Sequence, residues 1–467
     1  MTAHSPVTLS HRASPVLGKA AAVGLLLSVV FTALAHGAVE PWSLAAFELI
    51  IVALALLCAI KIVADGRLKI YVPSTTLPLA VLVVVGLAQS VAYSGAGGRI
   101  NSLSMDVEAT RTTLVALVCL LLAFVIAANV FGRREDVRSV IWFLVVYGFA
   151  MALFALVQHF TWNGRFFWLR PTAAEGSLVF GPFVNRNHFA GYMELLMPLP
   201  VALVITRAVR KDARLFFLLA AAAMGVAAVV SLSRGGMVSI AAEMTLIAVF
   251  GIGAKRQRGR GVNTLASPGR LRSAALIILV ATLISGGILW VGSEPVVSRL
   301  LPSQVSGQHS KSETFFSSRG WIWRDSIAMI SANPIVGVGL GAYETAYPIY
   351  SRDDGSQVLG QSYAVDRAHN DYLQILAEFG VIGAAIALWF IVLVFRAVAR
   401  GMRNGDQLMA GVALGCGASI FGMLAHSFFD FNLQLPSNAL LFLLLTAVAS
   451  RTSATRHVDL KQKGASI

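Results

Sequence analysis

His369 stands in the stretch Arg367-Ala368-His369-Asn370-Asp371, where a long polar segment gives way to an apolar run. An imidazole titrates near neutrality, so it can take a proton from a hydroxyl group at working pH. Asn370 and Asp371 suit the cap and first turn of a following helix, which would hold the ring on a rigid element. The same spacing suits a histidine that only caps the helix, and spacing alone leaves both readings open. Arginines accompany it. Arg319, Arg324, Arg352 and Arg367 lie on the same polar segment, Arg186 lies in Phe183-Val184-Asn185-Arg186-Asn187-His188, and Arg234 lies in Ser231-Leu232-Ser233-Arg234-Gly235-Gly236. A guanidinium presents a planar fork of donors that meets a phosphate or carboxylate at two points. Arg186, Arg234 and Arg319 together suit a pocket for a pyrophosphate, where their charge would stabilise a leaving group. Taken singly, each is equally an arginine snorkelling at a membrane edge.

The acids divide differently. Glu48, Glu194, Glu243 and Glu378 fall within or at the ends of apolar runs, where a carboxylate is costly and is a functional candidate on that ground. Glu194 lies two turns beyond Arg186 and is expected to pair with a neighbouring arginine; a proton relay is the competing role. Asp353-Asp354-Gly355 reads as a solvated turn, since no further ligand spacing supports a metal. No glycine-rich phosphate loop precedes a helix, so nothing points to a nucleotide. Cys58, Cys119 and Cys416 all fall in apolar runs and define neither a disulfide framework nor a metal cluster.

The elements that must position these groups follow from composition. Of 467 residues, 57% are hydrophobic and 13% charged. A soluble core of this size needs far less apolar surface, and runs of about 18 or more apolar residues read as transmembrane helices. Twelve such runs are predicted, at about 17–36, 43–63, 76–93, 112–131, 138–160, 188–206, 214–232, 236–254, 273–292, 372–396, 407–426 and 437–450. Lipid offers no hydrogen-bond partner, so each backbone must close its bonds internally and the fold is helical. Most of the 37 Lys and Arg residues fall in loops that share one face when the N-terminus is cytoplasmic, and an even number of spans returns the C-terminus to that face. The net charge of +14 is therefore chiefly an orientation signal and calls for no nucleic acid. On the opposite face Lys311 is the one lysine among arginines.

No repeat of the first half in the second is visible, which argues against an inverted-repeat transporter. The basic stretch from Lys255 to Arg272 reads as a flexible cytoplasmic loop. On the long polar segment, Trp321, Trp323, Ile327 and Ile330 share a helical stripe with Arg324 and Asp325 off it, predicting an amphipathic helix on the outer leaflet. Asn333-Pro334 ends that helix, and Gly337, Gly339 and Gly341 supply a flexible or closely packed turn before Tyr343.

The combination of Ser318-Arg319-Gly320-Trp321, Asn333-Pro334-Ile335-Val336-Gly337-Val338-Gly339, His369-Asn370 and the Gly380/Gly383 pair resembles the O-antigen ligase and O-antigen polymerase superfamily, closest to the ligases. The Asn185-Arg186-Asn187-His188 and Ser233-Arg234-Gly235 segments, and Gly37-Ala38-Val39-Glu40-Pro41-Trp42, also look like that family. The resemblance implies a bacterial inner-membrane glycosyltransferase acting at the periplasmic face. It would take a glycan from an undecaprenyl-pyrophosphate carrier and use neither nucleotide nor metal. A ligase would move the glycan onto lipid A-core; a polymerase would move it onto the next repeat unit. Carried over by motif position, His369 would activate the acceptor hydroxyl, while Arg319, Arg234 and Arg186 would bind and neutralise the pyrophosphate. Asn370, Asp371, Glu194 and Arg367 are the supporting candidates. Asp371 would either orient the ring or cap the helix.

The expected fold is an all-α polytopic membrane protein of about twelve transmembrane helices, GT-C-like, with one long periplasmic loop containing amphipathic helices. A cytoplasmic tail covers 1–16, transmembrane helices 17–292, the periplasmic loop 293–371, further transmembrane helices 372–450, and a second cytoplasmic tail 451–467. The expected function is a metal-independent, inverting lipopolysaccharide glycosyltransferase of the ligase type, with an exopolysaccharide or O-antigen polymerase as first rival and a lipid-linked saccharide transporter or flippase as second. Expected partners are the lipid-linked donor, a lipid A-core or glycan acceptor, and membrane lipid.

Overall fold

The computed structural model describes residues 7–94, 100–171, 179–253, 315–352 and 365–464. The ninth expected span, the Lys255 to Arg272 stretch and Asp353-Asp354-Gly355 lie outside these described residues. Among the described residues, fourteen α-helices run in chain order: α1 Val7–Leu34, α2 Pro41–Asp65, α3 Thr76–Gln89, α4 Val107–Val130, α5 Arg134–Phe160, α6 Arg186–Leu196, α7 Pro198–Ile205, α8 Arg214–Val230, α9 Arg234–Gly253, α10 Phe315–Ala332, α11 Tyr343–Tyr350, α12 Asp371–Met402, α13 Gln407–His426 and α14 Pro436–Gly464. Two small antiparallel pairs join them, Ala92–Ser94 with Ile100–Ser102 and Arg165–Phe166 with Arg170–Pro171.

The chain is an all-α polytopic membrane protein. Among the described residues, 9 helices are long and apolar enough to cross a membrane. The third expected span is shorter than a bilayer needs, because α3 holds 14 residues. The sixth is one continuous stack made of α6 and α7, stepped at Pro198, which occupies the first turn of α7 where a missing N–H costs nothing. The twelfth expected run is the first half of α14, where Leu440 to Leu445 are buried in the bundle; α14 is not among the nine.

Burial is graded across the bundle. The α6–α7 span is buried throughout, whereas α2 and α12 present Leu49, Leu56, Leu388 and Trp389 outward. An apolar outer face costs little in lipid, so the membrane, not a polar surface, completes the exterior.

Residues 315–352 and 365–370, between α9 and α12, pack back onto the bundle. Of the expected stripe, Ile327 is exposed, whereas Trp321, Trp323 and Ile330 pack partly buried beside Ile322, Asp325, Ser326 and Met329, which α10 turns fully inward. The reason is that α10 packs on protein along a second small core with Val338, Tyr343 and Tyr347. Polar contacts fit that face to it: Ser326 and Tyr343 hydroxyls lie 2.7 Å apart, and the Tyr347 hydroxyl donates to Asp325 at 3.1 Å.

The glycine turn is closely packed. Residues 334–339 form a turn strip that runs alongside α12, with Val338 N–H donating to Ala377 O at 2.8 Å and Val381 N–H to Pro334 O at 2.8 Å. This is possible because α12 is interrupted at Gly380, whose φ of 62° and ψ of −158° belong to a region essentially reserved for glycine. Gln89 at the end of α3 staples the joint, donating to Val336 O at 2.7 Å and to Glu378 O at 2.9 Å. The motif glycines thus weld the outer segment to the helix that begins two residues after His369.

Candidate functional site

Asn370 caps α12: its side-chain oxygen accepts from Tyr372 N–H at 2.9 Å and Leu373 N–H at 3.1 Å. Its amide nitrogen donates to Phe428 O at 3.2 Å, which binds this cap to the connection between α13 and α14. His369 precedes the cap with a φ of 49°, a left-handed conformation that histidine adopts more readily than most residues but still at some cost. That geometry aims the imidazole at the connection. His369 Nδ1 lies 3.1 Å from Asp430 Oδ1.

Asp430 is the hub. Its carboxylate is fully buried, and it collects partners from three other elements. Arg319 on α10 places Nη2 3.3 Å from Oδ2 and also donates through Nη1 to Phe429 O. Asn187 on α6 donates to Oδ2 at 2.6 Å. His188, the next residue, has Nε2 4.0 Å from Oδ1. Burial by itself would raise the Asp430 pKa; the His369 hydrogen bond and the positive charge of Arg319 outweigh it and hold the carboxyl well below its ordinary range. Phe431 fills the space between the two imidazoles, with ring centroids 4.9 Å from His369 and 4.7 Å from His188.

Arg186 and Arg234 reach the same region through their neighbours. Arg186 opens α6 directly before Asn187, behind the Asn185 cap. Arg234 opens α9, and the following Gly235 lies so close to His426 and Phe429 that a Cβ there would stand 2.7 Å from the imidazole. Three helix N-termini, those of α6, α9 and α12, therefore open around one turn, and helix N-termini favour anions. His36, just before Gly37, has Nδ1 3.0 Å from Pro182 O, and a Cβ on Gly37 would stand 3.5 Å from the Phe183 ring, close in the chain to the Arg186 turn.

Three expected supporting residues do other work. Asp371 faces Ser427 and Leu433, accepting from the Ser427 hydroxyl at 2.8 Å and Leu433 N–H at 3.3 Å, so it neither orients the ring nor caps the helix. Glu194 pairs with His426, not with an arginine: Nδ1 lies 3.0 Å from both carboxylate oxygens, and both side chains are buried. Arg367 donates to its own neighbour, Asp366 O, at 2.6 Å. Elsewhere on the segment, Arg324 pairs with Asp325 at 3.0 Å.

Asp430, Asn187, His188 and His426 are the participants that sequence reasoning left without roles. The available signal for Asp430 was a lone acid in His426-Ser427-Phe428-Phe429-Asp430-Phe431-Asn432, a short connection between two apolar runs. No cluster of His, Cys, Asp or Glu among the described residues is grouped for a metal ion.

Fold and site together define a polytopic helical membrane protein that gathers an imidazole–carboxylate pair and the Arg319 guanidinium at one end of its bundle. A family model described as O-antigen ligase matches residues 219–388, and the match supports assigning the chain to the O-antigen ligase and polymerase superfamily, a family of glycosyltransferase-like enzymes. The matched stretch contains Arg234, Arg319 and His369 and leaves out Arg186 and Asp430. No curated protein matches the chain.

Proposed function

We propose that the chain is a glycosyltransferase that moves a glycan from a polyprenyl (undecaprenyl) pyrophosphate to an acceptor hydroxyl, of the type that ligates O-antigen to lipid A-core. The observation that carries this reading is the His369–Asp430 contact with Arg319 on the same carboxylate. Asp430 accepts from Nδ1–H, which leaves Nε2 of His369 with its lone pair available to an acceptor hydroxyl. That hydroxyl oxygen attacks the anomeric carbon as the bond from this carbon to the pyrophosphate oxygen breaks. The hydroxyl proton passes to Nε2, and Asp430 stabilises the imidazolium. One displacement at that carbon inverts its configuration.

The pyrophosphate leaves with its electron pair and is stabilised by charge. Arg319, Arg234 and Arg186 are assigned this role, assisted by the N-termini of α6 and α9. Guanidinium groups supply the charge that a divalent ion supplies elsewhere, so this reading needs neither metal nor nucleotide. Both termini are assigned to the cytoplasm and the His369 end to the periplasmic side of the inner membrane, on the distribution of basic loops.

A polymerase would use the same groups with a second lipid-linked glycan as acceptor. Reconstituted proteoliposomes with a lipid-pyrophosphate-linked oligosaccharide, offered lipid A-core or a second donor molecule, separate the two. Product on lipid A-core that disappears in His369→Ala is the expected result. Lengthened carrier-linked chains would make the protein a polymerase. Absence of covalent transfer in folded protein would overturn the enzyme reading in favour of transport.

A further inference from the structure

Glu194 and His426 meet inside the bundle, on α6 and α13, beside the turns that carry Arg234 and Asp430. His426 Nδ1 stands 3.0 Å from both oxygens of Glu194, and neither side chain reaches solvent. Burying such a pair is costly, and an apolar pair of similar volume is often as stable or more so. Stability alone is therefore a poor reason for its presence.

Its surroundings give a better one. A Cβ on Gly235 would stand 2.7 Å from His426 Cδ2 and Nε2, and a Cβ on Gly236 would stand 2.9 Å from Glu194 Oε1. The turn carrying Arg234 thus rests directly on both members of the pair, with Ser233 Oγ accepting from Gly236 N–H at 3.2 Å. On the other side, the backbone oxygen of His426 accepts from Phe429 N–H at 2.7 Å and Asp430 N–H at 3.1 Å. The ring of this histidine therefore seats the arginine turn, while its backbone oxygen closes the turn that carries the carboxylate, so the position of one residue bears on both.

We infer that Glu194 and His426 form a positioning pair that keeps Arg234 and Asp430 in register, so that pyrophosphate binding and alignment of the base depend on one contact inside the bundle. This inference rests on the glycosyl-transfer reading for the roles of Arg234 and Asp430. Neither member of the pair touches substrate. Their contribution is geometric, and a misplacement of about 1 Å can cost on the order of 100-fold in rate.

The test uses the full chain in lipid nanodiscs, measuring undecaprenyl pyrophosphate binding, kcat and KM for transfer, and thermal unfolding. Glu194→Leu combined with His426→Leu is expected to keep the unfolding temperature while weakening binding about tenfold and lowering kcat about 100-fold. Glu194→Gln still accepts from Nδ1–H and is expected to remain within about threefold of wild type. Gly235→Ala, which drives a methyl group between turn and imidazole, is expected to weaken binding about tenfold and, by overpacking, to lower the unfolding temperature as well. Wild-type binding and kcat in the double Leu variant would overturn the inference. So would a loss in Glu194→Gln as large as in the double variant, because charge and not placement would then be responsible. If wild type binds the lipid pyrophosphate but transfers nothing, the transfer reading falls while the binding comparison still decides whether the pair seats Arg234. Absence of wild-type binding overturns both.

Discussion

His369 and Asp430 are 61 residues apart in the chain, yet Nδ1 and Oδ1 stand 3.1 Å apart. The contact joins the start of α12 to the connection between α13 and α14, and the Asn370 bond to Phe428 O runs parallel to it at 3.2 Å. An imidazole fixed at one nitrogen presents the other in a single direction, which a proton acceptor for a bound hydroxyl requires.

Asp430→Asn should leave the bundle folded and lower kcat by roughly 100-fold to 10,000-fold, because the amide no longer selects the Nδ1–H tautomer. Steady-state transfer kinetics beside thermal unfolding check this. Loss of folded protein in place of loss of turnover would contradict it.

The depressed pKa of Asp430 gives stability a definite pH dependence. A carboxyl lowered on folding contributes fully above its unfolded value of about 3.9, and the contribution is lost as pH falls through the folded value. Asp430 should therefore remain ionised throughout neutral and mildly acidic conditions. Thermal unfolding of wild type and Asp430→Asn, compared from pH 7 downward, should show the gap narrowing only below about pH 4. A gap that closes between pH 7 and 5 would assign the effect to another group.

Arg319 spans two acceptors, Phe429 O and Asp430. Lysine offers a compact charge without the fork, so Arg319→Lys should recover only part of what Arg319→Ala loses, with a deficit of roughly tenfold in kcat/KM. Full recovery by Lys would sink the two-point assignment.

Gly380→Ala places a methyl group against the backbone of Ile335 at a φ of 62° and ψ of −158°. The strain should cost about 1–3 kcal/mol, read as a lower unfolding temperature, together with a loss of activity because the outer segment carrying Arg319 is welded there. Hydrogen exchange in that variant should show residues 334–339 opening before α12 does. Unchanged protection in that strip would contradict the weld.

Transfer should proceed undiminished in EDTA, since guanidinium groups are assigned the leaving-group charge. Activity abolished by the chelator and restored by a divalent ion would overturn that assignment.

The sequence by itself determined the helical class and the places of most of the apolar helices, and it offered candidates for the chemistry. Those properties are written locally: apolar runs must form helices in lipid, Asn370 is a cap residue where α12 begins, and a motif histidine or arginine names itself. The tertiary structure decided what each charged group meets. Glu194 reads as a partner for arginine because arginine is near in the chain, but the packing of α6 on α13 gives it His426. Asp371 reads as either the carboxylate that orients the ring or a cap, for the same reason, but it faces Ser427 and Leu433, and the carboxylate that meets His369 is Asp430. The stripe on α10 also follows local hydrophobicity until its neighbours are known, because the helix packs on protein and buries Asp325 against Tyr347. Spans are set by the solvent each residue must enter, whereas pairings between them depend on which helix ends the bundle brings together, a property no single segment contains.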